Sequence, residues 1–151
     1  MKKFHFKLEK VLDLRSREEK LIQSELALAV GKQNILRTKQ QKYRDEVAQQ
    51  KTLFHDKMAG NEIDFNELLN FQRFSEFADR VIEKSEIDIR EMEPAINEIR
   101  ARLSEAMKKR KALEKLKERK KQTWDDILKQ TTEKELDDIN QKIYFKNNNL
   151  I

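Results

Sequence analysis

The sequence predicts an all-α fold, a long antiparallel two-helix coiled coil joined by a short loop near Gly60. Three observations predict it. Two Gly and one Pro in 151 residues leave almost no material for tight turns, which excludes all-β and Rossmann-type folds. Charged residues make up 40% of the chain and hydrophobic ones 37%, the composition of long charged helices sharing a thin apolar seam. Apolar residues also recur at heptad spacing along both halves of the chain.

The first helix is expected over about 4–58. Position a takes Leu8, Arg15, Ile22, Ala29, Leu36, Tyr43 and Gln50; position d takes Leu12, Glu19, Leu26, Gln33, Gln40, Val47 and Phe54. The apolar majority supports a coiled-coil seam. Gly31 weakens this helix by about 1 kcal/mol relative to Ala, which its length tolerates. Beside the seam, Leu14, Leu21, Leu28 and Ile35 recur every seven residues, at position g on this numbering. They either thicken the seam or form a surface for a partner.

The loop is expected at about 59–64, where Gly60-Asn61 is turn chemistry. Asp64 with Glu67 three residues on reads as an N-cap with its capping-box partner. The second helix, or helices, is expected over about 65–143. Position a takes Ile82, Ile89, Ile96, Leu103, Arg110, Lys117 and Trp124; position d takes Ser85, Met92, Ile99, Ala106, Leu113, Lys120 and Ile127. Pro94 should kink this helix without stopping it, because the pattern keeps its register on both sides. The less regular spacing of Leu68, Leu69, Phe71, Phe74 and Phe77 allows a short extra helix at 65–77. The polar segment 146–151 reads as a frayed tail. The expected whole is a single coiled-coil rod over 1–151, with the longer second helix projecting past the start of the first, or lying beside it if 65–77 folds back as its own element.

Composition also bounds function. There is no cysteine, so disulfides and thiolate chemistry are excluded. No apolar run is long enough to span a membrane, the opening residues do not read as a secretory signal, and the expected location is cytoplasmic. His5 and His55 are far apart, and the pairs Asp125-Asp126 and Asp137-Asp138 diverge on a helix. No catalytic, cofactor-binding or metal-binding residue is assigned, and no enzyme activity or small-molecule substrate is expected.

The net charge of +5 comes from one stretch. Residues 108–121 hold nine bases and two acids. One alternative reading is a basic coiled-coil protein that binds nucleic acid there. Glu114 and Glu118 are interleaved and no aromatic stacks among the lysines, so no nucleic acid is expected. Charged residues at seam positions, Arg15, Glu19, Arg110, Lys117 and Lys120, gather toward the terminal end. They are read as pairing across the seam, with Glu18, Glu19 and Asp13 facing the basic stretch, or as an end that a partner grips.

The opening Phe4-x-Phe6-x-Leu8-Glu9-Lys10-Val11-Leu12-Asp13-Leu14-Arg15, then Glu18-Glu19 and Leu26-Ala27-x-Ala29, resembles the flagellar export FliJ family. The late stretch Lys111-Ala112-Leu113-Glu114-Lys115-Leu116-Lys117-Glu118-Arg119 and Glu135-Leu136-Asp137-Asp138 resemble it too. The resemblance implies a non-enzymatic, stalk-like component of the bacterial flagellar type III protein export apparatus, in the service of motility and chemotaxis. It implies a cytoplasmic protein peripherally associated with the inner membrane. Its implied partners are a hexameric export ATPase, the cytoplasmic domain of the membrane export gate, and export chaperones. For contact with the ATPase ring it points to Phe4, Leu8, Leu12, Arg15, Glu19, Arg110, Lys117 and Trp124. For the gate it points to Gln40, Val47, Phe74, Ala78 and Val81. A monomer is preferred to a homodimer. The equivalent stalk of a virulence type III secretion system is a further alternative.

Overall fold

The computed structural model describes residues 2–149. The fold is an all-α two-helix hairpin: α1 spans Glu9–Ala59 and α2 spans Phe65–Asn148. No strand occurs among the described residues. The chain divides into two compact units, one of residues 20–104 and one of residues up to 19 with those from 105 on.

The unit of residues 20–104 contains the loop. Lys57 O accepts from the Glu62 amide at 3.0 Å and Met58 O from the Asn61 amide at 3.2 Å. This is the Schellman pattern, with Asn61 in the left-handed position at φ 52°. Gly60 keeps a negative φ. The segment 65–77 forms no separate element; it is the first three turns of α2. Phe54 and Phe71 stack there at 5.0 Å, and Tyr43 meets Phe77 edge-on at 6.0 Å. These contacts hold the irregularly spaced aromatics on one continuous helix. Glu67 pairs with Lys57 of α1 at 3.3 Å.

Further from the loop, Ala78, Ser85, Ile89, Ile96 and Ile99 of α2 are buried, as are Gln33 and Gln40 of α1. Gln33 Nε2 donates to the Ile89 carbonyl at 3.3 Å and to Glu93 at 2.7 Å. Gln40 Nε2 donates to the Ile82 carbonyl at 3.3 Å and to Glu86 at 2.8 Å. Arg102 of α2 pairs with Glu25 of α1 at 2.5 Å. Pro94 is exposed, and the helix continues through it.

The packing corrects the heptad labels on α1. The line beginning at Leu12 follows the line beginning at Leu8 by four residues, whereas d follows a by three. The line through Leu12, Glu19, Gln33 and Gln40 therefore takes position a, and Arg15, Ile22, Ala29 and Leu36 take d. Leu14, Leu21, Leu28 and Ile35 then fall at c, on the outer face. Their exposures of 53%, 71%, 69% and 69% agree with c and not with g.

In the unit of the two chain ends, residues 2–6 are irregular and α1 starts at Glu9, later than expected. The reason lies in Phe4 and Phe6. Phe6 is buried and the Phe4 ring lies 6.1 Å from that of Trp124. An extended start lays both aromatics onto α2. Glu19 and Ala106 are buried in this unit. From residue 125 to residue 149 every residue is exposed. The helix persists to Asn148, into the segment expected to fray, while residues 150 and 151 lie outside the described ones.

Candidate functional site

The eight residues assigned to an ATPase ring all fall in the unit of the chain ends. Two pairs among them touch. Arg110 pairs with the buried carboxylate of Glu19, and Phe4 meets Trp124. Arg110 also holds Glu114 at 2.8 Å on its own helix. The hydrogen bonds from Arg110 to Glu19, then to Glu114, hold its guanidinium above the usual arginine value, so it stays charged at every ordinary pH. Lys117 pairs with Glu9 at 2.8 Å, and Arg15 pairs with Glu18 on α1 itself at 3.1 Å. Leu8 is 39% exposed and Leu12 half-buried.

In the unit of the chain ends the cross-seam ion pairs are thus made by Glu19 and Glu9. Sequence reasoning missed Glu9. Its signal was available: one residue after Leu8, it falls at the flanking position e beside the seam, where charges pair across two helices, whereas Asp13 and Glu18 form no ion pair to the basic stretch among the described residues. Phe4, Phe6, Leu8, Leu116, Trp124 and Ile127 line an open groove of about 460 Å³ with Lys7 and Lys120 at its margin. From the groove onward, Ile127, which lines it, and then Leu128, Leu136, Ile139, Ile143, Tyr144 and Phe145 are exposed large apolar side chains on one helical segment.

The five residues assigned to a gate fall in the other unit. Gln40 and Ala78 are buried, while Val47, on the same heptad line as Gln40, and Phe74 and Val81 are half-buried. The hydrogen bond from Gln40 is the main reason the Glu86 carboxyl sits below its ordinary value. The bond to Glu25 likewise holds Arg102 above the arginine range.

Among the described residues no group of His, Asp or Glu is placed to hold a metal ion. None of the helices there is long and apolar enough to cross a membrane. What both units offer is side-chain surface on helices: aromatic and aliphatic groups framed by charges. The chain matches the family described as Flagellar FliJ protein over residues 4–149. Comparison with curated proteins and with solved structures gives no match.

Proposed function

This chain belongs to the flagellar FliJ family and is a protein associated with flagellar export, and from that premise we propose that it works as a non-enzymatic stalk. In this reading the unit of the chain ends inserts into the ring of the hexameric export ATPase and promotes its assembly and turnover. The unit near the loop meets the cytoplasmic domain of the export gate, and export chaperones are escorted between the two. The protein then works in the cytoplasm, peripherally attached to the inner membrane.

One observation carries the ATPase contact. From residue 125 to 149 every described residue of α2 is exposed, and seven large apolar side chains stand there among its charges, only Ile127 of them lining the groove made with the opening segment. Exposed apolar groups on a helix without an internal partner are a binding surface. The neighbouring charges Arg15, Glu19, Arg110 and Lys117 are mutually paired or paired within the chain. Their part is to hold the end together while a ring lumen contacts the apolar segment. Gate contact rests on the half-buried Val47, Phe74 and Val81, with the buried Gln40 and Ala78 setting the seam beside them.

The test is export-ATPase turnover and hexamer formation at physiological salt, with the full chain and with a chain ending at Trp124. Stimulation by the full chain, lost on truncation with the remaining helicity intact, supports the reading. An ATPase indifferent to the full chain overturns it.

A further inference from the structure

One face of α1 lies outside both proposed contacts. Leu21, Leu28 and Ile35 stand on it, each about 70% exposed. Ser24, Gly31 and Thr38 recur beside them at the same seven-residue step. The fold gives no reason for Gly31: a Cβ there would meet nothing within 4 Å, while glycine weakens a helix interior. Small residues next to a line of aliphatics let a second helix approach closely. Leu28 and Ala29 also form the α1 wall of a shallow groove of about 290 Å³, whose α2 wall is Met92, Ala95 and Ile99.

The charges around this face decide the kind of occupant. Glu25 is neutralised by Arg102. Lys32 and Lys39 are exposed and form no ion pair among the described residues. We propose that this face, Leu21, Leu28, Gly31 and Ile35 with Lys32 and Lys39 at its edge, docks an amphipathic helix of a partner protein whose apolar stripe is bordered by Asp or Glu. The apolar stripe supplies the contact area, and the lysine edge selects for acid. A second copy of this chain fits less well, because two copies sharing the face would bring both lysine edges into one interface of like sign.

The test uses the full chain and two labelled 21-residue designed helices. Both carry leucine at a and d; one has glutamate along one border, the other lysine. Fluorescence anisotropy should show the glutamate helix binding at least tenfold more tightly, less so as salt rises. The double variant Lys32→Glu/Lys39→Glu should reverse the preference. Gly31→Gln should raise the thermal midpoint of the protein and weaken the glutamate helix at least fivefold, a combination that loss of folding does not produce. Equal binding of the two helices, binding of neither, or an undiminished affinity in Gly31→Gln overturns the proposal. So does a concentration-dependent dimer in sedimentation that Leu28→Lys abolishes, which would assign the face to a second copy.

Discussion

Gln33 and Gln40, one heptad apart on α1, make the same clasp twice. Each amide nitrogen donates to a backbone carbonyl of α2 and to a glutamate four residues after that carbonyl. Both glutamines sit at position a, where an aliphatic side chain would bury more area. A polar residue there fixes which heptad faces which, because a shifted register leaves the amide without its acceptors.

The first prediction concerns these clasps. Gln33→Ala should cost about 1 kcal/mol for the lost hydrogen bonding, read by urea unfolding. Replacing both glutamines with Leu should leave stability equal or higher while widening the range of registers. Disulfide trapping between cysteines introduced on α1 and α2 would show that range as more than one cross-linked product.

The second concerns acid. The Glu86 carboxyl is lowered from its ordinary value, chiefly by the Gln40 hydrogen bond. A depressed folded-state value contributes stability above the unfolded value, and that stability is lost as pH falls through the folded one. Stability should therefore drop as pH falls below about 4. Gln40→Leu should flatten the drop, measured as thermal midpoint against pH. An unchanged slope would remove Gln40 as its cause.

A third prediction contrasts core with face. Ile96 is 1% exposed, and Ile96→Ala should cost roughly 2–4 kcal/mol. Leu28 is 69% exposed, and Leu28→Ala should stay within about 0.5 kcal/mol. Equal losses in equilibrium unfolding would mean that the α1 face is covered in the free protein.

The loop provides the fourth. Asn61, not Gly60, holds the positive φ. Gly60→Ala meets only ordinary contacts, the nearest at 3.6 Å, and should be neutral or stabilising by a few tenths of a kcal/mol, roughly. Asn61→Val should cost about 1 kcal/mol or more, since a β-branched residue resists that backbone. Thermal unfolding of the two variants should rank them in that order.

The fifth uses Trp124, the sole tryptophan. Phe4→Ala should shift its emission to longer wavelength, because the neighbouring ring at 6.1 Å is removed. An unshifted spectrum would place the opening segment elsewhere in solution.

The hairpin was legible in the sequence because period and punctuation agree. Apolar heptads run on both sides of one Gly-Asn break, and α2 starts at Phe65 directly after the expected cap. Other features were less legible. The start of α1 was not legible, because the heptad lines begin only at Leu8 and Leu12 and leave Phe4 and Phe6, whose alternation is that of an extended segment, without a helical period. The stripe at Leu14, Leu21, Leu28 and Ile35 was set beside the seam because a and d were exchanged on α1. A four-residue step and a three-residue step give the same apolar count, but only one faces inward. At the terminal end, Arg110 opposite Glu19 was readable from charge, since a seam arginine needs an acid across from it. The Gln33 and Gln40 clasps were not, because glutamine at a heptad position looks like a gap in the pattern.

The uncovered end of α2 has a kinetic consequence. Past Ile127 and up to residue 148, its amides are protected by their own helix alone among the described residues, with Thr131, Thr132, Tyr144 and Phe145 lowering the intrinsic preference for it. Most helical stability in proteins comes from tertiary packing rather than from propensity, so this stretch is the weakest of the helix. Hydrogen exchange there should be governed by local fraying and run far ahead of exchange at Ile96, which requires the seam to open. A protein that grips this segment must complete its helix first, and that ordering is subtracted from the affinity. The contact can then be extensive in area and still dissociate quickly.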